Sequence, residues 1–113
     1  MEFIVERVKN LGWSPEGVQD VGNVTVYRFL KDSPQSMELY LGIKDGNTFI
    51  YVADKRIGFR INVSPERGAV ELYTYAIRRY NFDDIEKLAE QFFEELELLY
   101  NEALSVAKVV QKA

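Results

Sequence analysis

The sequence predicts an α+β fold, an antiparallel meander sheet of four to five strands with helices packed on one face, and three observations predict it. Asp45-Gly46 sits between two alternating runs, M-E-L-Y-L-G-I-K and N-T-F-I-Y-V-A. Alternation extends over much of Gly22 to Arg79. From Asp83 onward apolar residues recur at spacings of three and four instead, which is the helical period.

Taken in order, Glu2 to Leu11 carries Ile4, Val8 and Leu11 at helical spacing, and Gly12 stands where a helix stops, so residues 1–12 read as a short amphipathic helix. Trp13 follows, and Ser14-Pro15-Glu16-Gly17 reads as a turn. Gly22 to Lys31 is a strand with Val24, Val26 and Leu30 on one side and Thr25, Tyr27 and Phe29 on the other. Asp32-Ser33-Pro34-Gln35 is a loop, and pairing Leu30 with Met37 sets Val26 against Leu41 and Tyr27 against Tyr40.

Asp-Gly is the strongest short hairpin signal, because a type I′ turn needs positive φ at both central residues. It pairs Lys44 with Asn47, Leu41 with Ile50, Leu39 with Val52 and Tyr40 with Tyr51. A second tight turn at Asp54-Lys55 pairs Val52 with Ile57, Ile50 with Phe59, Tyr51 with Gly58 and Phe49 with Arg60; a bulge in one long strand is the alternative there. After the loop Ser64-Pro65-Glu66-Arg67-Gly68, Ala69 to Arg79 alternates again, with Val70, Leu72 and Ala76 on the aliphatic side and Tyr73, Tyr75 and Ile77 on the other. The sheet therefore spans residues 22–79.

Residues 83–113 read as one long helix, acidic at its start and lysine-bearing at its end, as the helix dipole favours. Its stripe is Ile85, Leu88, Phe92, Leu96, Leu99, Ala103, Val106 and Val110. Such a helix runs roughly 45 Å, longer than a strand of this sheet. Phe93, Leu98, Tyr100, Leu104 and Val109 lie off the stripe. The overhang predicts a homo-oligomer joined through residues 92–113.

The 113 residues suit one domain and one core. No apolar run reaches membrane-span length, and the N-terminus is acidic where a signal peptide is basic, so a cytoplasmic protein is expected. With no cysteine and no histidine, disulfides, thiolate chemistry, the usual zinc sites and imidazole bases are excluded. Nothing resembles a glycine-rich phosphate loop or a nucleophile with its base, so neither an enzyme nor a cofactor is expected. A charged set rich in Glu, Lys and Arg leans towards a thermophile.

The net charge of −4 is unevenly distributed. From Asp83 onward, Asp83, Asp84, Glu86, Glu90, Glu94, Glu95, Glu97 and Glu102 face only Lys87, Lys108 and Lys112. Between Gly22 and Tyr80 basic residues outnumber acidic ones. The acidity belongs to the C-terminal segment.

The helices need the aliphatic face. The other face is then left with Tyr27, Phe29, Tyr40, Phe49, Tyr51, Tyr73 and Tyr75, with Lys31, Lys44, Arg60 and Arg79 among or beside them and Gly42 and Gly58 as low points. A solvent-facing sheet surface is normally polar, which makes this many rings unusual for an idle one. Rings interleaved with cations form a stacking platform for unpaired bases, with phosphates at the basic rim. Two other readings of the same rings stand beside this one: a protein interface that receives a peptide or partner, as in chaperone-like or immunity-like dimers, and ordinary core beneath a second layer. Asp83, Asp84 and Glu86 fit a metal site less well than a dipole complement. Arg78-Arg79 either grips phosphate or closes a strand. Trp13 reads as a core plug, and Arg28 falls by parity at the edge of the aliphatic face with its stem buried.

With that aromatic face and the stripe from Ile85 to Val110, the order of elements resembles the ThermoDBP family of archaeal single-stranded DNA-binding proteins. The resemblance implies sequence-tolerant binding of single-stranded DNA or RNA in an aromatic-floored cleft with charged rims, assembly through the C-terminal helix, and no catalysis. The chain departs from it in its low net charge and modest rim.

Overall fold

The Asp45-Gly46 turn forms as its dipeptide dictates, with φ of 46° and 80°. The flanking strands β3 (Met37–Lys44) and β4 (Asn47–Asp54) pair Lys44 with Asn47, Tyr40 with Tyr51 and Leu39 with Val52, in the predicted register. The structure is a computed structural model that describes residues 2–54, 58–73, 77–92 and 94–111. In it the hairpin is the middle of a seven-stranded antiparallel sheet whose strands neighbour one another in chain order. The other strands are β1 (Ser14–Val21), β2 (Val24–Lys31), β5 (Phe59–Ser64), β6 (Ala69–Tyr73) and β7 (Ile77–Asn81). Helix α1 (Glu2–Lys9) precedes the sheet; α2 (Phe82–Phe92) and α3 (Glu94–Gln111) follow it.

One face of the sheet is the core. Phe29, Leu39, Leu41, Ile50, Val52, Ile61, Val63 and Val70 have no exposed surface, and they cluster with Val8 of α1, Ile85 of α2, and Leu96, Leu99, Ala103 and Val106 of α3. Burying each large aliphatic side chain contributes about 1.5–3 kcal/mol before the entropy of ordering is subtracted. The α+β class and the helices on the aliphatic face follow from this layer.

The sheet has seven strands rather than four or five, and the differences are local. Ser14-Pro15-Glu16-Gly17 is the start of β1, with a bulge between Pro15 and Gly17, and not a turn. All eight β1 residues are exposed, so no apolar alternation marks it, while the proline and the bulge blunt an open edge. Asp54 pairs with Phe59, which fits neither a two-residue turn after Asp54 nor one continuous strand; Lys55 lies outside the described residues. The Gly58 N–H donates to the Asp54 carbonyl at 3.1 Å, and β5 begins at Phe59. Gly58 is thus a turn residue, not a low point on the sheet, and Ile57 lies outside the described residues. Val52 pairs with Ile61, Tyr51 with Asn62, and Ala53, not Phe49, with Arg60. That is four residues from the expected register, an even number, so the faces survive. Ala69 to Arg79 is likewise two strands, with Tyr73 opposite Ile77; Tyr75 and Ala76 lie outside the described residues.

The long C-terminal helix of the predicted fold is present as α3, of 18 residues, but the segment from residue 83 is not one helix throughout, since α2 precedes it. The Phe82 and Tyr100 rings meet at 6.3 Å, and the Tyr100 hydroxyl donates to the Phe82 carbonyl at 3.3 Å across eighteen positions of chain. In one straight helix those residues would stand about 27 Å apart. The molecule measures 37 × 29 × 25 Å, too short for the single helix foreseen. Folding back puts α2 against β6 and β7 and α3 against β4 and β5. Tyr100 is buried, and Leu98, Leu104 and Val109 pack on the core of the same chain. Among the described residues there is therefore no overhang of the kind from which assembly through residues 92–113 is predicted; Phe93, Lys112 and Ala113 lie outside the described residues.

Candidate nucleic-acid interface

Helices α1, α2 and α3 lie on the core side, so among the described residues the opposite face of β2 to β7 has no helix over it. Register orders this face into rows. Arg28, Tyr40, Tyr51, Asn62, Glu71 and Arg79 stand side by side across six strands. One row over, Val26, Gly42, Phe49, Ser64 and Ala69 form a lower strip. On the other side Glu38, Ala53, Arg60 and Tyr73 follow one another. The first row is tall and polar-tipped; the strip beside it is mostly small.

Three of the tyrosines form a continuous series. Tyr40 and Tyr51 have ring centroids 6.0 Å apart at 58°, and Tyr51 and Tyr73 are 6.1 Å apart at 73°. These are the tilted and edge-to-face arrangements that the ring quadrupole favours. All three rings are half-buried. Phe49 borders Gly42, where an added Cβ would meet Val24 Cγ1 at 3.5 Å and Phe49 Cβ at 3.8 Å. That is ordinary contact, so glycine here keeps the strip low rather than relieving a clash.

The charges are arranged in pairs around this series. Arg28 Nη2 donates to Glu38 Oε2 at 2.9 Å, and Arg79 Nε to Glu71 Oε2 at 2.9 Å. Asn62 donates to the other Glu71 oxygen at 3.1 Å. The hydrogen bond from Arg79, ahead of that from Asn62, holds the Glu71 carboxyl below its ordinary value, against the opposing pull of burial. Tyr40 hydrogen-bonds Glu38, and that bond, with burial, pushes its phenol above the usual value. Tyr73 is raised by burial first and then by Glu71. Tyr40 and Tyr73 are therefore neutral donors at physiological pH. Lys44 and Arg60 are exposed and form no ion pair among the described residues. From β2 to β7 this face carries Arg28, Lys44, Arg60 and Arg79 against Glu38 and Glu71, a positive surface on a chain of net charge −4.

The structure brings together Tyr40, Lys44, Phe49, Tyr51, Arg60, Tyr73 and Arg79 of the predicted site residues. It removes Tyr27, Phe29 and Lys31, and Tyr75 lies outside the described residues. Met37 pairs with Lys31 instead of Leu30, so the whole of β2 is turned over. Tyr27 then faces Leu41 and Phe29 faces Leu39 in the core, where burial, ahead of Asp20, raises the Tyr27 phenol. Lys31 becomes a structural lock. Its Nζ donates to the Leu11 carbonyl at 2.8 Å and to both Glu102 oxygens at 3.1 Å, 5.5 Å from the centre of the Trp13 ring. It fastens the end of α1 and Trp13 to α3, and Trp13 is buried as a plug.

Turning β2 over delivers residues that sequence reasoning missed: Arg28, Val24 and Val26 on the open face, with Asn62 and Glu71 farther along. A signal for it existed. The predicted parity put Arg28 on the aliphatic face, and that misfit is resolved by a loop one residue shorter. Asp83, Asp84 and Glu86 build no metal centre: no group of three or more acidic residues suited to a metal ion occurs among the described residues. The Asp84 N–H instead receives a cap from Asn81 Oδ1 at 2.8 Å at the start of α2. Among the described residues no helix is long and apolar enough to cross a membrane. Comparison with known proteins adds no relative: no family model, no curated protein and no solved structure matches the chain.

Proposed function

We propose that the open sheet face binds single-stranded nucleic acid without strong sequence preference, by stacking unpaired bases on the tyrosine series while the basic side chains meet phosphates. The observation that carries this reading is the series of rings Tyr40, Tyr51 and Tyr73, 6.0 and 6.1 Å apart across two neighbouring rows, on a face with no helix over it among the described residues and with an excess of cations. Spacings near 6 Å exceed the separation of stacked bases, so the row suits an extended strand whose bases are splayed apart. Each base–ring stack is worth about 1–3 kcal/mol and depends little on base identity. Such binding is the activity that the resemblance to the ThermoDBP family implies.

A titration of labelled oligo(dT) at increasing salt tests the proposal. Affinity should fall linearly in log–log form, by about 0.7 log units per neutralised phosphate for each tenfold rise in salt. Failure to bind at low salt would sink it. A second reading, a protein-interaction surface on the same face, is favoured by the apolar end where Val21 is 55% exposed beside Val24 and Val26. Binding of an apolar peptide that survives high salt, with no binding of oligo(dT), would support that reading instead.

A further inference from the structure

At the β1 end of the tyrosine row the open face contains a hollow of about 170 Å³ lined by Gly17, Val18, Gln19, Val26, Arg28 and Tyr40. Its origin is the β1 bulge. The register shift between Pro15 and Gly17 places Gly17 opposite Arg28, and a Cβ built on Gly17 would meet nothing within 4 Å. A residue without a side chain thus stands beside Arg28, which lines the hollow.

The state of Arg28 narrows what this hollow would accept. Its charge is already compensated by Glu38, whose side chain is only 9% exposed against 42% for Arg28. A charge-compensated arginine is a poor attractor for a free phosphate. Glu38 takes one Nη2 hydrogen, the Tyr40 hydroxyl also hydrogen-bonds the guanidinium, and Nε is closed from solvent, so the donors left to a ligand are the remaining Nη N–H groups at the planar tip. The neighbouring wall is the Tyr40 ring, a surface for stacking. A planar group with two adjacent acceptors and no net charge fits such a site. Among the bases, guanine presents that pair at O6 and N7, and its pairing with arginine is the commonest specific base contact. Adenine offers a donor beside N7, and thymine a single acceptor beside its methyl group.

We infer that the hollow beside the β1 bulge is a guanine subsite, in which one base of a bound strand stacks on Tyr40 and presents O6 and N7 to Arg28. This rests on the proposed binding of single strands by the open face and adds one preferred base to an otherwise tolerant surface. Gln19, exposed at the rim, supplies an amide to the remaining edge of the base.

The test compares labelled oligo(dT) of about twelve nucleotides, within the usual site sizes, with the same strand carrying one central dG, dA, dC or 7-deaza-dG. The single dG strand should bind about five- to a hundredfold more tightly than oligo(dT), while dA, dC and 7-deaza-dG should give no comparable gain. Two variants then read the ratio of dG-strand to oligo(dT) affinity. Arg28→Lys keeps a cation for Glu38 but loses the fork, and Gly17→Val fills the hollow from a position where the backbone leaves open space. In both, the ratio should fall towards one. Equal affinity for the dG strand and oligo(dT), an equal gain from dC or 7-deaza-dG, or a ratio unchanged in both variants would overturn the subsite while leaving tolerant binding intact. Loss of all oligonucleotide binding by the unaltered protein would overturn both readings together.

Discussion

Replacing Tyr51 by alanine isolates the part of the open face on which the proposed binding depends. Tyr51 is the middle ring, 6.0 Å from Tyr40 and 6.1 Å from Tyr73, so its removal takes away one stacking surface and both ring pairs at once. The missing stack corresponds to about 1–3 kcal/mol, which is roughly a five- to 150-fold rise in Kd for oligo(dT). The two ring pairs are worth about 0.5–1.5 kcal/mol each to the fold. Against a typical domain stability of about 5–15 kcal/mol, that leaves the variant folded at room temperature. Fluorescence anisotropy would read the affinity and urea denaturation the stability. Tyr51→Phe keeps the ring and should bind within about twofold of the unaltered protein. If Tyr51→Ala is folded and still binds oligo(dT) within twofold of the unaltered protein, the tyrosine row is not the platform.

Three further outcomes are expected. Phe29→Ala, which empties a core position with no exposed surface, should cost about 3–5 kcal/mol in urea denaturation; a cost below about 1 kcal/mol would mean that β2 is not turned over as described. Because the carboxyl of Glu71 lies below its ordinary 4.5 when folded, it contributes stability that is present above that value and is lost as pH falls through the folded pKa. Glu71→Gln should therefore flatten the acid side of the stability profile measured between about pH 5 and pH 2 and leave its shape near neutrality unchanged; an equally steep acid limb would contradict the assignment. Replacing Lys44 and Arg60 by glutamine should reduce the salt slope of oligo(dT) binding by about 0.7 for each phosphate no longer neutralised, read from titrations at several salt concentrations. An unchanged slope would place the phosphates elsewhere.

What the sequence disclosed and what it concealed follow from the same rule of side-chain parity. Asp45-Gly46 specified its own turn, so Tyr40, Tyr51 and their aliphatic neighbours were legible to the residue. Between β4 and β5 the turn was misjudged, but by an even number, and Arg60 stayed on the open face. Between β2 and β3 the loop was misjudged by one residue, and Tyr27, Phe29 and Lys31 changed sides with Arg28. Both faces of β2 are apolar enough to be core, with Val24, Val26 and Leu30 on one and Tyr27 and Phe29 on the other, so alternation had no means of choosing. The exposed β1 edge lacks the apolar alternation by which strands are recognised. In the C-terminal segment no proline or glycine marks the break, since Gln91-Phe92-Phe93-Glu94 is acceptable helix sequence. The fold-back packs α2 on β6 and β7 and α3 on β4 and β5, tertiary contacts that local propensity does not contain.

Where an oligonucleotide sits on the protein decides most directly whether the open face is the binding surface. In a ¹⁵N- and aromatic-¹³C-labelled sample titrated with oligo(dT) at low salt, NMR shift changes should concentrate at Tyr40, Phe49, Tyr51, Arg60 and Tyr73 on the open face. The exposed surfaces of α2 and α3, around Glu86, Glu90 and Glu97, should stay unperturbed. Changes centred on those helices, or none at any ratio of oligonucleotide to protein, would contradict binding on the tyrosine row.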